Sequence, residues 1–121
     1  FLYDLRSDGL IIATPSGSTA YALSAGGPII QPGVPALALV PICPHTLSAR
    51  PIVVSSHSRI EIHLTHANDA RVHFDGQHHF DLQSDDHVWI TRASRPVTLL
   101  HPHAYSYYDT LRQKLHWGKK L

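Results

Sequence analysis

The sequence predicts a mainly β domain, a sandwich or a folded-over sheet, with two short helices set into it. Three observations predict this. Short apolar runs recur along the 121 residues, each bounded by Gly, Pro or polar turn residues. Residues 58–65 (SRIEIHLT) alternate apolar and polar positions, as a strand does with one face buried and one wet. Asp75-Gly76 lies between two β-type runs, where a tight hairpin needs residues that tolerate positive φ.

Taken in order, residues 9–14 (GLIIAT) read as a buried strand. Residues 36–42 (ALALVPI) read the same way and end among prolines, and residues 51–54 are a third short piece. The alternating stretch 58–65 follows. Residues 70–74 and 78–82 flank the Asp75-Gly76 turn. Residues 87–91 (HVWIT) put Val88 and Ile90 on one side, and residues 96–100 form a last candidate strand. Residues 31–35 (QPGVP) are a connection between elements.

Two helices interrupt the β pattern. The first is predicted over residues 19–25. Ser18 is its expected N-cap, because a serine hydroxyl can accept from a free amide of the first turn. Gly26-Gly27-Pro28 stops it. The second is predicted over residues 107–115, with Ser106 and Asp109 as a capping box. Tyr108, Leu111 and Leu115 then form a narrow apolar stripe. Residues 116–121, basic at Lys119 and Lys120, read as a frayed end.

Composition narrows the function. A hydrophobic content of 43% supports a buried core and argues against disorder. The formal net charge is +1, so no charge imbalance calls for nucleic acid or a membrane surface. No apolar run reaches the roughly 20 residues that span a bilayer, and no signal-peptide pattern opens the chain. The single cysteine, Cys43, has no internal partner, which points to a reducing, cytoplasmic setting. The chain has no methionine, even at position 1, and is expected to be a piece of a longer product. Eleven histidines invite a metal reading. However, His63 falls on the wet face of its strand, and Pro102 separates His101 from His103, so the histidines read as surface groups and no metal site is expected.

The chemically pointed stretch is residues 14–28, TPSGSTAYALSAGGP. Gly17 permits a sharp turn. Ser18 and Thr19 open a helix whose first amides are unpaired. Tyr21 stands near that mouth, where a ring can stack on a flat heterocycle while hydroxyls and amides read its edge. Together these sketch a nucleotide site. The ordinary alternative is a strand–turn–helix joint with a core tyrosine. No lysine follows the glycines, so this is not a P-loop. No G-x-G-x-x-G fingerprint is present. Neither Ser16 nor Ser18 has a patterned His/Asp partner for nucleophilic chemistry. Asp8 lies at the rim of the first strand, where a carboxylate suits ribose hydroxyls or an amide NH₂ but not phosphate. The Gln77 amide at the hairpin tip can both donate and accept.

The block DGLIIATPSGSTAYALSAGGPII (residues 8–30) resembles the signature of the C-terminal domain of NAD kinases, closest to the bacterial type. The resemblance continues through PICPHTLSARPIVV (residues 41–54) and DGQ (residues 75–77) to KLHW (residues 114–117), so it covers nearly all of residues 1–121. It implies a multi-stranded, sandwich-like C-terminal domain partnered by an N-terminal α/β domain, with the active site between them. It also implies a homo-oligomer, dimer or tetramer, in which a neighbouring subunit helps to bind NAD. The implied reaction moves the γ-phosphoryl group of ATP, or of polyphosphate in some members, to the 2′-hydroxyl of the adenosine ribose of NAD, giving NADP.

Carried over by position, the resemblance puts Thr19, Ala20 and Tyr21 around the adenine, with Tyr21 stacking and Ser24 in the same set. Asp8 would hold the nicotinamide ribose or carboxamide. Arg6 and Gln77 would line the NAD pocket. The family's Gly-Gly-Asp-Gly loop, which supplies the aspartate proposed as general base, does not occur in this sequence. Catalytic residues, ATP and its divalent metal (Mg) are therefore expected mainly outside this chain, and the 121 residues alone are expected to be inactive. Two other readings compete: a non-catalytic module that binds NAD or NADP, and a lipid kinase of the diacylglycerol or sphingosine type. The second should not carry the GSTAY block.

Overall fold

The structure, a computed structural model, describes residues 1–118. Seven strands and two helices follow one another: β1 (Gly9–Ala13), a 3-10 turn (Gly17–Thr19), α1 (Tyr21–Ser24), β2 (Ala36–Ile42), β3 (Ile52–Ser55), β4 (Ile60–His63), β5 (Ala70–Phe74), β6 (His78–Leu82), β7 (His87–Ile90) and α2 (Tyr107–Leu115). The mainly β architecture with two helices is as the sequence predicts. The strands divide into three antiparallel sheets: β1-β2-β3, β4-β7 and β5-β6.

The three-stranded sheet carries the core. β2 is its central strand, and six of its seven residues are buried, with Ala36, Ala38 and Val40 packed in a cluster with Ala22 and Ile30. Ala38 lies opposite Ala13 on β1 and Val53 on β3. Ala13, Ala22, Ile30, Ala36, Ala38 and Val40 form the buried cluster, with Ile11 and Ala25 packed against it. Most of these side chains are alanines. Small residues on both surfaces let α1 approach the sheet closely, and Gly27 continues the pattern: an added Cβ there would lie 2.7 Å from Val40 Cγ2 and 2.8 Å from the Ala22 carbonyl oxygen.

β4 and β7 pair with His63 opposite His87. The alternation read from the sequence holds: Ile60 and Ile62 are half-buried, while Glu61 and His63 are exposed. On the outer face the His63 and His87 rings stack at 4.2 Å, His87 Nδ1 lies 2.7 Å from Glu61 Oε1, and Arg59 sits over the Trp89 ring. In the β5–β6 hairpin, Asp75 and Gly76 both take positive φ, 50° and 70°. That is the geometry for which the Asp-Gly pair is suited.

Several expectations need correction. Residues 96–100 form no strand: Pro96 has no amide to donate, and Val97, Leu99 and Leu100 remain exposed without a paired strand. The first helix is shorter than predicted, a single α turn after a separate 3-10 turn, and Ser18 does not cap it. In α2 the predicted bounds hold, and Ser106 Oγ accepts from the Asp109 amide at 3.2 Å. The Asp109 carboxylate pairs with Arg112 instead of returning to Ser106, so only half of the capping box forms. Leu111 is buried and Leu115 half-buried, but Tyr107 joins their face while Tyr108 is exposed. Tyr107, Leu111 and Leu115 sit four residues apart and share one side of the helix. The predicted frayed end begins instead as an ordered stop. His116 takes φ 55°, and the Trp117 amide donates to the Arg112 carbonyl at 3.1 Å. Residues 119–121 lie outside the described residues.

Candidate functional site

The turn after β1 is built by its own hydroxyls. Thr14 Oγ1 accepts from the Gly17 amide at 3.1 Å, and the Thr14 carbonyl accepts from the Ser18 amide at 2.8 Å. The Ser18 side chain is fully buried. Its hydroxyl donates to the Pro15 carbonyl at 2.6 Å and accepts from the Ile30 amide at 3.0 Å. Ser18 therefore ties the turn to the segment returning from α1. A buried hydroxyl is stable only when so paired. Gly17 does not use positive φ; that freedom is used by Gly26 (φ 83°), which ends α1.

With Ser18 turned inward, its neighbours turn outward. Thr19, Ala20, Tyr21 and Ser24 are all exposed, on the 3-10 turn and α1 and the residue between them. The Tyr21 ring is 63% exposed, while Ala22 beside it is buried under the sheet. Within the described residues the segment docks through Ala22 and leaves Tyr21 outside the core. Thr19 Oγ1 donates to the Ser16 carbonyl at 3.3 Å, which leaves its lone pairs to accept. One α turn provides no appreciable helix dipole, so the helix-start part of the sequence argument drops out. The exposed ring and hydroxyls remain.

Arg6 and Asp8 lie at the opposite end of β1. The Asp8 amide donates to the Ile42 carbonyl at 3.0 Å, and the His45 amide donates to the Arg6 carbonyl at 2.9 Å. Both side chains are exposed. Five strand residues separate them from the Thr14 turn, about 15 Å along the strand. Gln77 stands on the separate β5–β6 hairpin, with its backbone amide donating to Phe74 and its side chain exposed. The predicted residues thus form three groups: Thr19, Ala20, Tyr21 and Ser24 together; Arg6 and Asp8 together; Gln77 apart.

Sequence reasoning missed two features. One is the Ser18–Ile30 tie, whose partners are twelve residues apart. The other is the position of Cys43, Pro44 and His45, which the β1–β2 register carries to the side of Arg6 and Asp8. Only the pairing register reveals that neighbourhood, and no local pattern encodes it. Among the described residues, no group of three or more His, Cys, Asp or Glu side chains converges as a metal cage, and no helix is long and apolar enough to cross a membrane.

The family model described as ATP-NAD kinase C-terminal domain matches residues 1–101. The chain belongs to the NAD kinase family. Over all 121 residues it is 80% identical to an NAD kinase of Thiobacillus denitrificans and 58% identical to one of Laribacter hongkongensis, spanning 42% of the length of each. The fold agrees with solved structures. A yeast NADH kinase complexed with NADH superposes with a TM-score of 0.70 at 41% identity, covering 75% of this chain and 26% of that one. An Archaeoglobus fulgidus NAD kinase in complex with ATP gives 0.66 at 39% identity, covering 74% and 34%. The C-terminal NAD kinase domain read from the GSTAY block is therefore the family domain that the chain carries.

Proposed function

We propose that these residues are the NAD-binding part of an NAD kinase, which transfers the γ-phosphoryl group of ATP to the 2′-hydroxyl of the adenosine ribose of NAD. The observation that carries this reading is the exposed Tyr21 face on a turn held rigid by Ser18. A ring on a fixed base loses little freedom when a flat base stacks on it. Adenine is the flat partner in this reading. Thr19 and Ser24 contribute hydroxyls at its edge, and Ala20 lets it lie close to the backbone.

Asp8 then accepts from the nicotinamide ribose or carboxamide, and Arg6 lines the same end. A separation of about 15 Å along β1 suits a ligand with two nucleoside ends, held either by one chain or across neighbouring copies. Gln77 lines the site from the hairpin. The two solved relatives are complexes with NADH and with ATP, which supports both ligand classes for the whole protein.

Phosphoryl transfer needs charge neutralisation and an in-line nucleophile, and Mg²⁺ bound to phosphates calls on only one or two carboxylates. The described residues supply neither a metal cage nor the Gly-Gly-Asp-Gly loop. We place ATP, Mg²⁺ and the general base with the N-terminal domain, and further copies of the protein beside this one. The test is NADP formation from NAD, ATP and Mg²⁺, run on residues 1–121 and on the full-length protein. Activity in the long form alone is expected. Activity in the short form overturns the division of labour, and none in a folded long form overturns the kinase.

A further inference from the structure

The turn between β3 and β4 and the segment leaving β7 enclose an open cavity of about 370 Å³. Its lining is Ser56, His57, Ser58, Thr91, Arg92, Ala93 and Ser94. We propose that this cavity is a binding site for a phosphoryl oxyanion, with the Arg92 guanidinium as its charge and the surrounding hydroxyls as its donors. The proposal does not depend on the NAD reading of Tyr21.

Chemistry points to an anion. Six of the seven lining residues carry a side-chain polar group, and none is a carboxylate. Along the chain the neighbouring charges are mostly positive, with Glu61 the nearest carboxylate after the lining residue Ser58. No Asp or Glu occurs between Gly9 and Ile60, nor between Thr91 and Tyr108, while Arg59 and Arg95 flank the lining residues. A guanidinium has five N–H donors in a planar fork that matches phosphate oxygens. Among the described residues only one of the five is engaged: Arg92 Nη1 donates to Ser56 Oγ at 3.4 Å, which anchors the fork at the rim.

The donors are also prepared. Ser56 is only 7% exposed, yet among the described hydrogen bonds its hydroxyl only accepts, from Arg92, so its own O–H is free to donate into the cavity. The side chains of His57, Ser58, Thr91 and Ser94 enter no described hydrogen bond. The backbone beneath them is already satisfied: the Ser56 amide donates to Pro35, the Ser58 amide to the Ser55 carbonyl, and the His57 amide to Ser55 Oγ. Side chains would hold the ligand while a fixed loop holds the side chains. The register places Ser55, beside the cavity, at the same end of the three-stranded sheet as Ala13, which leads into the Tyr21 turn. The oxyanion can therefore be inorganic phosphate or the phosphate of a nucleotide.

The test uses the full-length protein and ³²P-labelled inorganic phosphate at constant ionic strength in chloride. Arg92→Gln, checked for folding by circular dichroism, is expected to lower phosphate affinity about tenfold or more. Arg92→Lys should restore part of it, because charge returns without the fork. Arg95→Gln removes an equal charge outside the lining and should change affinity less than twofold. Equal losses in the Arg92→Gln and Arg95→Gln proteins, or unchanged affinity in a folded Arg92→Gln protein, overturn the site. Unlabelled ATP or NADP then identifies the source. Displacement of the Arg92-dependent label by either one assigns the site to a nucleotide phosphate, and retention with both present assigns it to free phosphate.

Discussion

Ser18 and Ile30 are joined across the base of the turn that follows β1: the buried Ser18 hydroxyl accepts from the Ile30 amide at 3.0 Å. Replacing Ser18 by alanine removes the side-chain oxygen that accepts from that amide. The expected cost is about 1–3 kcal/mol, because a buried donor is left unpaired. Denaturant unfolding of the full-length protein measures it. NAD affinity should fall as well, since the platform under Tyr21 loosens. A Ser18→Ala protein of unchanged stability counts against the tie.

Much of this fold was legible in the sequence. β2, β5, β6 and α2 run between the predicted residues, because their patterns are local: an apolar run ending at prolines, two runs around Asp75-Gly76, and a serine cap at Ser106. The family was legible through the block of residues 8–30. Other features depend on distant partners. Ser18 resembles an N-cap locally, but Ile30 claims its hydroxyl from the other side of α1. The apolar residues 97–100 resemble a strand, yet a strand needs a neighbour and Pro96 cannot donate to one. Cys43–His45 reach Arg6 and Asp8 only through the β1–β2 register, which periodicity does not specify.

Adjacent glycines in α1's exit should behave differently. At Gly27 an added Cβ meets the Ala22 carbonyl oxygen at 2.8 Å and Val40 Cγ2 at 2.7 Å, both within the core. Gly27→Ala should destabilise by about 1–3 kcal/mol through overpacking. At Gly26 there is open space, and the cost is only positive φ, about 1 kcal/mol. Thermal unfolding of the two variants side by side tests the order. Gly26→Ala being the more damaging contradicts the packing described here.

Tyr21→Ala separates stability from binding. The ring is largely exposed and supports no core contact, so unfolding should shift by less than about 0.5 kcal/mol. Loss of stacking should weaken NAD binding by about 1–3 kcal/mol, by analogy with base–aromatic stacking. Calorimetric titration of the full-length variant decides it. Unchanged affinity in a folded variant removes Tyr21 from the site.

Asp8→Asn tests the other end of β1. The Asp8 backbone amide holds the strand to Ile42, and asparagine keeps that amide, so the fold should persist. The lost negative charge should raise KM for NAD and lower kcat/KM about tenfold or more, as for a hydrogen bond to a charged group. Steady-state NADP formation measures this. A variant that unfolds while wild type does not assigns Asp8 to structure.

Tyr3 gives a pH prediction. Its ring is partly exposed, but its hydroxyl oxygen is shut from water and has no hydrogen-bond partner among the described residues. Burial disfavours the charged phenolate and holds the Tyr3 pKa above its ordinary value. The folded state therefore binds this proton more tightly than the unfolded state. Stability from this source is complete below the unfolded phenol value, near about pH 10, and is lost as pH rises from there through the folded value. Tyr3→Phe removes both the unpaired hydroxyl and the titration. At pH 7 the variant should be as stable as wild type or more so, because no hydrogen bond is lost. Above about pH 10 its advantage should widen. Denaturant midpoints of the full-length pair at pH 7 and pH 10.5 provide the comparison. A Tyr3→Phe protein less stable at pH 7 would show that the hydroxyl has a partner after all, and parallel pH profiles would remove Tyr3 from the alkaline transition.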